Sequence, residues 1–298
     1  MTIVITGKGG QLGRALLASA PADQAVVALD REALDLALTD QIAPRLIALN
    51  PALIVNAAAY TAVDKAESEP ELAWRINAAA ATEMARAAKQ TGARMIQVST
   101  DFVFDGSARR PIEPNSAPRP LNIYGASKLG GERAMSSEDL IIRTAWVHAA
   151  AGTNFVTTML RLMAERDVLR VVADQEGSPT WATHLAEAIW DLAAVGAKGI
   201  HHVTGVGGVS WFGFAQAIRE AAIERGLLSS ACAVVEAISS SEYPTPARRP
   251  AYSILDCTSS VAAIGRPLPG WHDGLSAMLD ELAAETSLSR NLKDLSHG

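Results

Sequence analysis

The chain has 298 residues, of which 49% are hydrophobic and 19% charged, so it can bury a large core and is not a disordered protein. Its 26 Lys and Arg residues against 32 Asp and Glu residues give a net charge of −6. Because nucleic-acid-binding proteins need a basic surface and this sequence has no basic block, we expect no nucleic-acid partner.

The N-terminus and the cysteines indicate a cellular compartment. MTIVITGKGG is apolar but lacks the basic and long hydrophobic regions of a signal peptide, and no apolar run reaches the roughly 18 residues of a membrane span. Cys232 and Cys257 stand apart without metal-ligand spacing, which is typical of unpaired thiols in a reducing compartment. We therefore expect a cytoplasmic protein with no membrane partner.

Short apolar runs alternate with amphipathic segments in the first half of the chain. TIVIT, AVVAL, LIVNAA, MIQVS and LIIRTAW have the length of strands, whereas QLGRALLAS, TDQIAPRLIAL and ELAWRINAAAATEMARAAKQ have helical periodicity. Buried strands separated by helices are typical of a parallel sheet covered on both faces. The sequence therefore predicts an α/β fold, with a doubly wound parallel sheet of the Rossmann type over residues 1–150.

After residue 150 this alternation becomes less regular. Helical patterns such as NFVTTMLRLMAER, THLAEAIWDLAAV, FGFAQAIREAAIERG and WHDGLSAMLDELAAE accompany the strand patterns LRVVAD and GIHHVTG. The segment YPTPARRP, residues 243–250, is predicted to be a loop. Residues 151–298 are thus expected to form mainly a smaller α/β substrate-binding region, with some segments returning to the Rossmann sheet and a cleft between the two parts.

A glycine-rich turn, GKGGQLG, follows the first strand and opens the first helix. Gly7, Gly10 and Gly13 are related to, but differ from, the G-x-G-x-x-G fingerprint. Such a turn lets the backbone approach a pyrophosphate, which then binds N–H groups at the helix N-terminus. Asp30 ends the second strand, where a carboxylate accepts from adenosine ribose hydroxyls, and the neighbouring Arg31 could tolerate a 2′-phosphate. The choice between NADH and NADPH stays open.

A second set of residues is suited to ketone reduction. Thr100 and Asp101 follow the strand MIQVS, and ligands of such sheets bind at the carboxyl ends of the strands. Tyr124 and Lys128 are four residues apart on a predicted helix and therefore share a face. Tyrosine can donate the proton that a reduced carbonyl oxygen needs, and a nearby ammonium is expected to lower its pKa from about 10.

The motifs GKGGQLG, NAAAYTAVDKAE, STDFVFDG, YGASKLGGE, RTAWV, DQEGSPT and YPTPARRP occur in this order between residues 7 and 250. Together they resemble the extended short-chain dehydrogenase/reductase family. Within that family they are most similar to the reductases that act on the 4-ketone of a dTDP-linked 6-deoxy sugar, giving dTDP-L-rhamnose. The resemblance implies an NADPH- or NADH-dependent enzyme of polysaccharide biosynthesis whose partner is a small nucleotide-sugar substrate.

The resemblance also implies roles for individual residues. Tyr124 would be the general acid, Lys128 its partner and a ligand of the nicotinamide ribose, and Thr100 would tune the proton transfer. The other residues implied to bind the cofactor, beside Gly7 and Gly13, are Gly10, Gln11, Leu12, Asp30, Asp35, Leu36, Ala59, Tyr60 and Thr61. Those implied to bind the substrate are Thr100, Asp101, Trp146 and Arg248 or Arg249, since a guanidinium matches the geometry of a diphosphate.

One departure from the family pattern concerns a metal. Some of these reductases carry a glutamate just after the last glycine that takes part in Mg²⁺ binding between subunits, and this chain has Ala15 there. We therefore expect no metal site, while a homodimer stays open. His201 and His202 are adjacent in a predicted strand and face opposite ways, which does not favour a shared ion.

A dTDP-sugar reductase has three alternatives: a dehydratase, a regulatory subunit and a reductase of another sugar. A dehydratase of the same fold needs an Asp-Glu pair after the strand-end Ser-Thr, and here Phe102 follows Asp101. A regulatory subunit of the methionine adenosyltransferase type would be a binding protein with a similar sequence. A reductase for another nucleotide-linked 4-keto-6-deoxy sugar would share all of these motifs.

Overall fold

The computed structural model describes the backbone of residues 1–295 and the side chains of residues 1–286. The strands in this part of the chain are β1 (Thr2–Thr6), β2 (Ala25–Leu29), β3 (Leu53–Asn56), β4 (Arg94–Thr100), β5 (Leu140–Thr144), β6 (Val147–His148), β7 (Val168–Val172), β8 (Glu176–Gly177), β9 (Thr180–Trp181), β10 (Gly199–His202), β11 (Val209–Ser210) and β12 (Val234–Ile238).

The α-helices within the same residues are α1 (Gln11–Ala18), α2 (Thr39–Leu49), α3 (Val63–Ala66), α4 (Pro70–Trp74), α5 (Ala80–Thr91), α6 (Ile123–Glu132), α7 (Phe155–Glu165), α8 (Ala182–Ala194), α9 (Trp211–Glu224), α10 (Thr258–Ile264) and α11 (Trp271–Leu295). A π-helical turn, Arg75–Ala79, joins α4 to α5, and short 3₁₀ turns cover Asp101–Val103 and Ser240–Glu242. In this described part, no helix combines the length and the hydropathy that a membrane crossing requires.

A six-stranded sheet with every neighbouring pair parallel forms the centre of the molecule, which confirms the predicted Rossmann-type fold. The strand order is β2-β1-β3-β4-β5-β10. The chain moves from β1 outward to β2 and then returns to place β3 on the other side of β1. In sheets of this kind ligands bind at the carboxyl edge beside such a reversal.

Helices cover both faces of this sheet. On one face α1 and α8 pack over the strands, and their core includes Leu16, Leu185 and Ile189. On the other face α2 and α5 contribute Ile42 and Met84 to a separate core. Because the strands are buried on both sides, their runs are apolar throughout, as the sequence pattern indicated.

A second cluster of elements packs around its own core. The helices α7, α9 and α11 enclose the parallel pair β7 and β12, with a core that includes Met163, Phe214 and Met278. Asn154 caps α7 by accepting from the N–H of Thr157, so the helix starts just after the cleft-facing residues 151–153. The strand β10 lies between these elements in the sequence, yet it pairs with β5 in the central sheet.

Candidate active site

A cleft of about 500 Å³ lies at the carboxyl edge of the sheet, where β1, β3, β4 and β5 end. Its walls come from the glycine-rich turn, the segment after β3, the end of β4, the helix α6 and the loop 151–153. Of the residues predicted from the sequence, it brings together Gly7, Gly10, Gln11, Leu12, Ala59, Thr61, Tyr124 and Lys128.

The glycine-rich turn has the shape that a dinucleotide requires. Gly7 has a φ of +80°, and a Cβ there would lie 2.8 Å from the Cα of Ala58. A Cβ at Gly13 would collide with the carbonyl of Gly7, so the helix can approach the strand only because this residue is glycine. No side chain caps α1 at Gly10 within the described chain. The first-turn N–H groups are therefore available to a pyrophosphate, and the residues fit the implied cofactor.

Asp30, the residue predicted to bind the adenosine ribose, has a cationic partner that was not predicted from the sequence. Asp30 accepts from Lys8 at 2.8 Å and from the N–H of Ala33 at 2.9 Å, and the bond from Lys8 is the main reason that its pKa is lowered. Arg31, the basic residue considered from the sequence, pairs instead with Asp35 at 3.3 Å. The signal for Lys8 was present in the turn itself, as the residue after Gly7.

Leu36 is buried in the core beside α2. Its side chain therefore belongs to the protein interior, and a contact with adenosine would have to come from its backbone. The role implied for Leu36 stays a prediction.

Tyr124 and Lys128 lie one turn apart on α6 and are both buried. The helix is held at its start by Asn122, which accepts from the N–H of Gly125 at 2.8 Å. Lys128 donates from Nζ to the carbonyl of Val98 at 2.6 Å, which fixes it against β4. Both side chains thus line the cleft, as predicted from their spacing of four residues.

Burial controls the protonation of both groups. It raises the pKa of Tyr124 to about 12, against the opposing hydrogen bond of Thr100. It lowers the pKa of Lys128 to about 8, against the opposing charge of Glu132. From the sequence we expected Lys128 to lower the pKa of Tyr124, and that direction was wrong, because burial raises this pKa and the charge of Asp101 acts in the same direction.

The end of β4 carries three polar residues with different surroundings. Thr100 donates from Oγ1 to Oδ1 of Asp101 at 3.0 Å and accepts from the N–H of Phe102 at 3.2 Å. Burial raises the pKa of Asp101 to about 6, against hydrogen bonds from Ser253 and Thr100. Ser99 also reaches the cleft, but its hydroxyl is turned away to Glu132.

Phe102 occupies the position at which a related dehydratase would carry an acid. Its ring packs edge-on against Tyr124, with the ring centroids 5.5 Å apart. The position next to the candidate acid is thus filled by an apolar ring that cannot transfer a proton.

The segment after β3 is held by a residue that the sequence reasoning did not single out. Asn77, in the π-helical turn, accepts from the N–H of Tyr60 and donates to its carbonyl, at 2.8 and 3.1 Å. It also donates to the hydroxyl of Ser127 on α6 at 2.9 Å. The phenol of Tyr60 donates to Glu69 at 2.7 Å. An inserted π turn is often found at functional sites, and here it fixes one cleft wall to the helix of Tyr124.

Trp146 lies in an aromatic cluster beyond β5. It has a φ of +48° and stacks on Trp211, with ring centroids 3.3 Å apart and planes within 5°. A Cβ at Gly177 would lie 2.5 Å from its indole ring, so the chain accommodates the tryptophan by having glycine there. The aromatic partners Trp211 and Phe155 were not identified from the sequence.

The two arginines of the 243–250 loop have different environments. Arg249 forms a two-pronged ion pair with Asp64, at 3.0 and 2.7 Å, and also donates to Thr245. Arg248 is exposed, and its carbonyl accepts from Asn122 at 2.7 Å. The structure therefore leaves the guanidinium of Arg248 available to a ligand, whereas that of Arg249 ties the loop to α3.

Among the described side chains, no group of three or more His, Cys, Asp or Glu residues is arranged to hold a metal ion. Ala15, at the position where some relatives carry glutamate, is partly buried against the core of the sheet. His202 is buried with Nδ1 3.1 Å from the carbonyl of Ile112, whereas His201 is only partly buried and lies near Ser260.

Comparison with known proteins agrees with this geometry. Residues 1–284 match the family described as RmlD substrate binding domain. The chain is 38% identical to the dTDP-4-dehydrorhamnose reductase of Escherichia coli K12, over 97% of this chain and all of that protein. It is 40% identical to the reductase of the same name from Mycobacterium tuberculosis H37Rv, over 97% of this chain and 96% of that protein.

Solved structures show the same likeness. The dTDP-4-dehydrorhamnose reductase of Bacillus anthracis in complex with NADP is 35% identical, with a TM-score of 0.87 over 94% of this chain and 99% of that chain. A Thermus thermophilus UDP-glucose 4-epimerase in complex with NAD has a TM-score of 0.79 at 21% identity, over 95% of this chain and 99% of that chain, which shows the shared fold alone. The chain belongs to the RmlD substrate-binding domain family. Its relatives described above carry the name dTDP-4-dehydrorhamnose reductase.

Proposed function

We propose that this protein reduces the C4 ketone of dTDP-4-dehydro-6-deoxy-L-mannose to give dTDP-L-rhamnose, using NADPH or NADH. The observation that carries the proposal is that Tyr124 and Lys128, both buried, line the same cleft as the glycine-rich turn. The names of the relatives support the substrate, and the bound NADP of one of them supports the cofactor.

The reaction needs a hydride at the carbonyl carbon and a proton at the carbonyl oxygen. A reduced nicotinamide held by the glycine-rich turn and Lys128 would supply the hydride and would be oxidised in return. Tyr124 supplies the proton to O4, so that the ketone becomes an alcohol and the phenol becomes a phenolate. Because its pKa is about 12, Tyr124 is fully protonated at neutral pH and ready to donate.

The phenolate formed in this step requires a compensating charge. Lys128, one turn along the same helix face, has a pKa of about 8 and is therefore mostly an ammonium at pH 7. Thr100 also lowers the pKa of Tyr124 and so favours the phenolate. These two groups are fixed before the reaction begins, so no solvent has to reorganise around the new charge.

The remaining predicted residues are proposed to hold the cofactor and the sugar nucleotide. The backbone of Gly10, Gln11 and Leu12 would bind the pyrophosphate, and Asp30 with Lys8 would face the adenosine ribose. On the substrate side we keep Asp101 and Trp146, and of the two loop arginines we favour Arg248 because its guanidinium is free. Residues 1–150 would mainly bind the cofactor and residues 151–298 mainly the sugar nucleotide.

An activity assay with a variant tests the proposal. Oxidation of NADPH and of NADH is followed by absorbance with the ketosugar generated in place by a 3,5-epimerase. Tyr124→Phe should reduce kcat by roughly 10²-fold or more, the scale of a lost general acid, while the Kd for NADP⁺ measured by calorimetry stays close to wild type.

Two results would contradict the proposal. Wild-type protein that binds NADP⁺ but does not turn over would favour another ketosugar or a binding subunit. A Tyr124→Phe variant with full rate would remove Tyr124 from the mechanism.

We also propose a cytoplasmic location, and the resemblance leaves a homodimer as the assembly to test. Light scattering of the purified protein, with and without added Mg²⁺, measures its mass directly. A mass near 31.3 kDa in both conditions would reject the homodimer.

A further inference from the structure

A buried ion pair joins the end of α6 to the end of β5. The side chains of Arg143 and Glu132 are 2% and 4% exposed, the most enclosed ion pair among the described residues. Arg143 donates from Nε to Oε1 of Glu132 at 2.9 Å and from Nη2 to Oε2 at 2.7 Å. Two parallel bonds of this kind fix both the distance and the orientation of the two groups.

Further contacts extend the pair to two other segments. Ser99, the residue before Thr100 on β4, donates to Oε1 of Glu132 at 2.5 Å. Arg143 donates from Nη1 to the carbonyl of Pro114 at 3.1 Å, and its guanidinium lies 5.1 Å from the ring centroid of Phe104. The pair thus connects β4, β5, α6 and the loop that follows β4.

The pair lies directly behind the candidate reacting groups. Glu132 is one helical turn beyond Lys128, which is one turn beyond Tyr124, so the three share a face of α6. On another side the helix is already in close contact, because a Cβ at Gly131 would collide with the carbonyl of Asn77. Its position is limited there, and the bonds of Glu132 tie the end of α6 to β4 and β5.

Stability alone does not account for a charged pair in this place. Removing two charges from water is costly, and apolar residues of similar volume often give a protein that is equally or more stable. The ion pair fixes the distance and orientation of the two side chains, whereas apolar residues in their place would not. The charge of Glu132 also opposes the effect of burial on Lys128.

We propose that Glu132 and Arg143 are positioning residues for the ketone reduction, which hold Tyr124 and Lys128 at the end of β4. The inference rests on the proposed function for its kinetic consequence, but its structural consequence does not depend on the substrate. Displacement of a reacting group by about 1 Å can cost on the order of 10² in rate.

Two variants separate positioning from folding. Glu132→Gln combined with Arg143→Met removes both charges of the pair and keeps an acceptor for Ser99. Arg143→Lys keeps the charge but loses the two-pronged geometry, and it gives a second test if the double variant does not fold. As a control, Asp191→Asn with Arg266→Met removes a long-range ion pair between α8 and residue 266, whose side chains are 39% and 42% exposed.

The measurements are kcat, KM for the sugar nucleotide, the Kd for NADP⁺ and the thermal midpoint of unfolding. We expect both variants of the buried pair to lose about tenfold or more in kcat, with KM and Kd changing by less than about threefold, whereas the control keeps the wild-type kcat. A folded variant with the wild-type kcat would overturn the inference. A loss of kcat no larger than the unfolded fraction of the variant would also overturn it.

A crystal structure of the folded variant gives the readout that needs no sugar. We expect Nζ of Lys128 to move away from the carbonyl of Val98, to which it donates at 2.6 Å in the wild type. An unchanged bond would overturn it. If the wild-type enzyme does not reduce the ketosugar, the proposed function fails, and this structural result decides the positioning claim separately.

Discussion

Asp101 has an ionisable side chain that folding removes from water beside the candidate proton donor. Its pKa is about 6 in the folded protein against 3.8 for the free side chain. Between these two values the folded state binds more protons than the unfolded state, so stability falls as pH rises. The stabilising contribution is complete below pH 3.8 and is lost as pH passes through about 6.

Asp101→Asn should therefore be more stable than wild type at pH 7, by up to about 3 kcal/mol, and equally stable near pH 4. The difference in unfolding free energy is measured by urea denaturation at both pH values. Asp105→Asn is the matched control, because bonds from Ser107 lower the pKa of Asp105 and its replacement should act in the opposite direction. An Asp101→Asn variant with no gain at pH 7 would show that this carboxyl is well solvated.

The position of Lys8 leads to a prediction about the preference for NADP⁺ over NAD⁺. Its ammonium offsets the negative charge of Asp30, which would otherwise repel an adenosine 2′-phosphate. Lys8→Met should weaken NADP⁺ binding by about tenfold and NAD⁺ binding by less than about threefold, measured by calorimetry at low ionic strength. Arg31→Met, two residues after β2, is the control, because Arg31 pairs with Asp35 instead. If Lys8→Met weakened the binding of NADP⁺ and NAD⁺ equally, the ammonium of Lys8 would not contact the 2′-phosphate.

At the scale of elements, α6 depends on close packing against the π-helical turn. A Cβ at Gly131 would collide with the carbonyl of Asn77, which is backbone and cannot move aside. A Cβ at Gly130 would meet the ring of Trp74 at 2.6 Å and the methyl group of Ala78 at 2.9 Å, and Trp74 is 41% exposed. A side chain should therefore be tolerated better at Gly130 than at Gly131.

Gly131→Ala should lower stability by several kcal/mol, even though alanine favours a helix by about 1 kcal/mol over glycine. Gly130→Ala should cost less, because the tryptophan ring can turn outward and the remaining contact, with the methyl group of Ala78, is longer than the contact of Gly131 with a carbonyl oxygen. Thermal or urea unfolding of both variants measures the contrast. Equal losses would mean that α6 can shift away from the π-helical turn as a unit.

The sequence predicted most helices and central strands because each has its own periodicity. α2 was predicted at its observed bounds, Thr39–Leu49, and the 243–250 segment was predicted as a loop. The π-helical turn at Arg75–Ala79 was not predicted, since its sequence continues an ordinary helical pattern. β12, VVEAI, was also not predicted.

At the scale of the whole molecule, an ion pair between residues 185 positions apart fixes the 243–250 loop. Arg249 and Asp64 are 24% and 39% exposed, so solvent screens their attraction and we expect only about 0.5–1 kcal/mol from it. The N–H of Ala247 also donates to Asp64, at 3.2 Å. The loop is thereby held beside Asn122 at the start of α6.

Asp64→Asn and Arg249→Met should each lower stability by that amount, and the double variant should lose less than the sum of the two. Unfolding free energies of the three proteins complete the cycle, repeated at high salt, where the coupling should shrink. Arg248→Met serves as the control and should leave stability unchanged while weakening the binding of dTDP. Strictly additive losses would mean that the two residues act independently.

The sequence by itself determined the α/β class, the glycine-rich turn and the pairing of Tyr124 with Lys128. Each of these depends on residues close together in the chain, where periodicity and backbone geometry decide the outcome. Only the tertiary structure decided that Lys8 lies on Asp30, that Asn77 holds Tyr60, that Arg249 pairs with Asp64 and that Arg143 pairs with Glu132. These contacts join segments that meet only when the sheet and its helices pack, and the pKa of Tyr124 rose for the same reason, because packing removed the solvent around it.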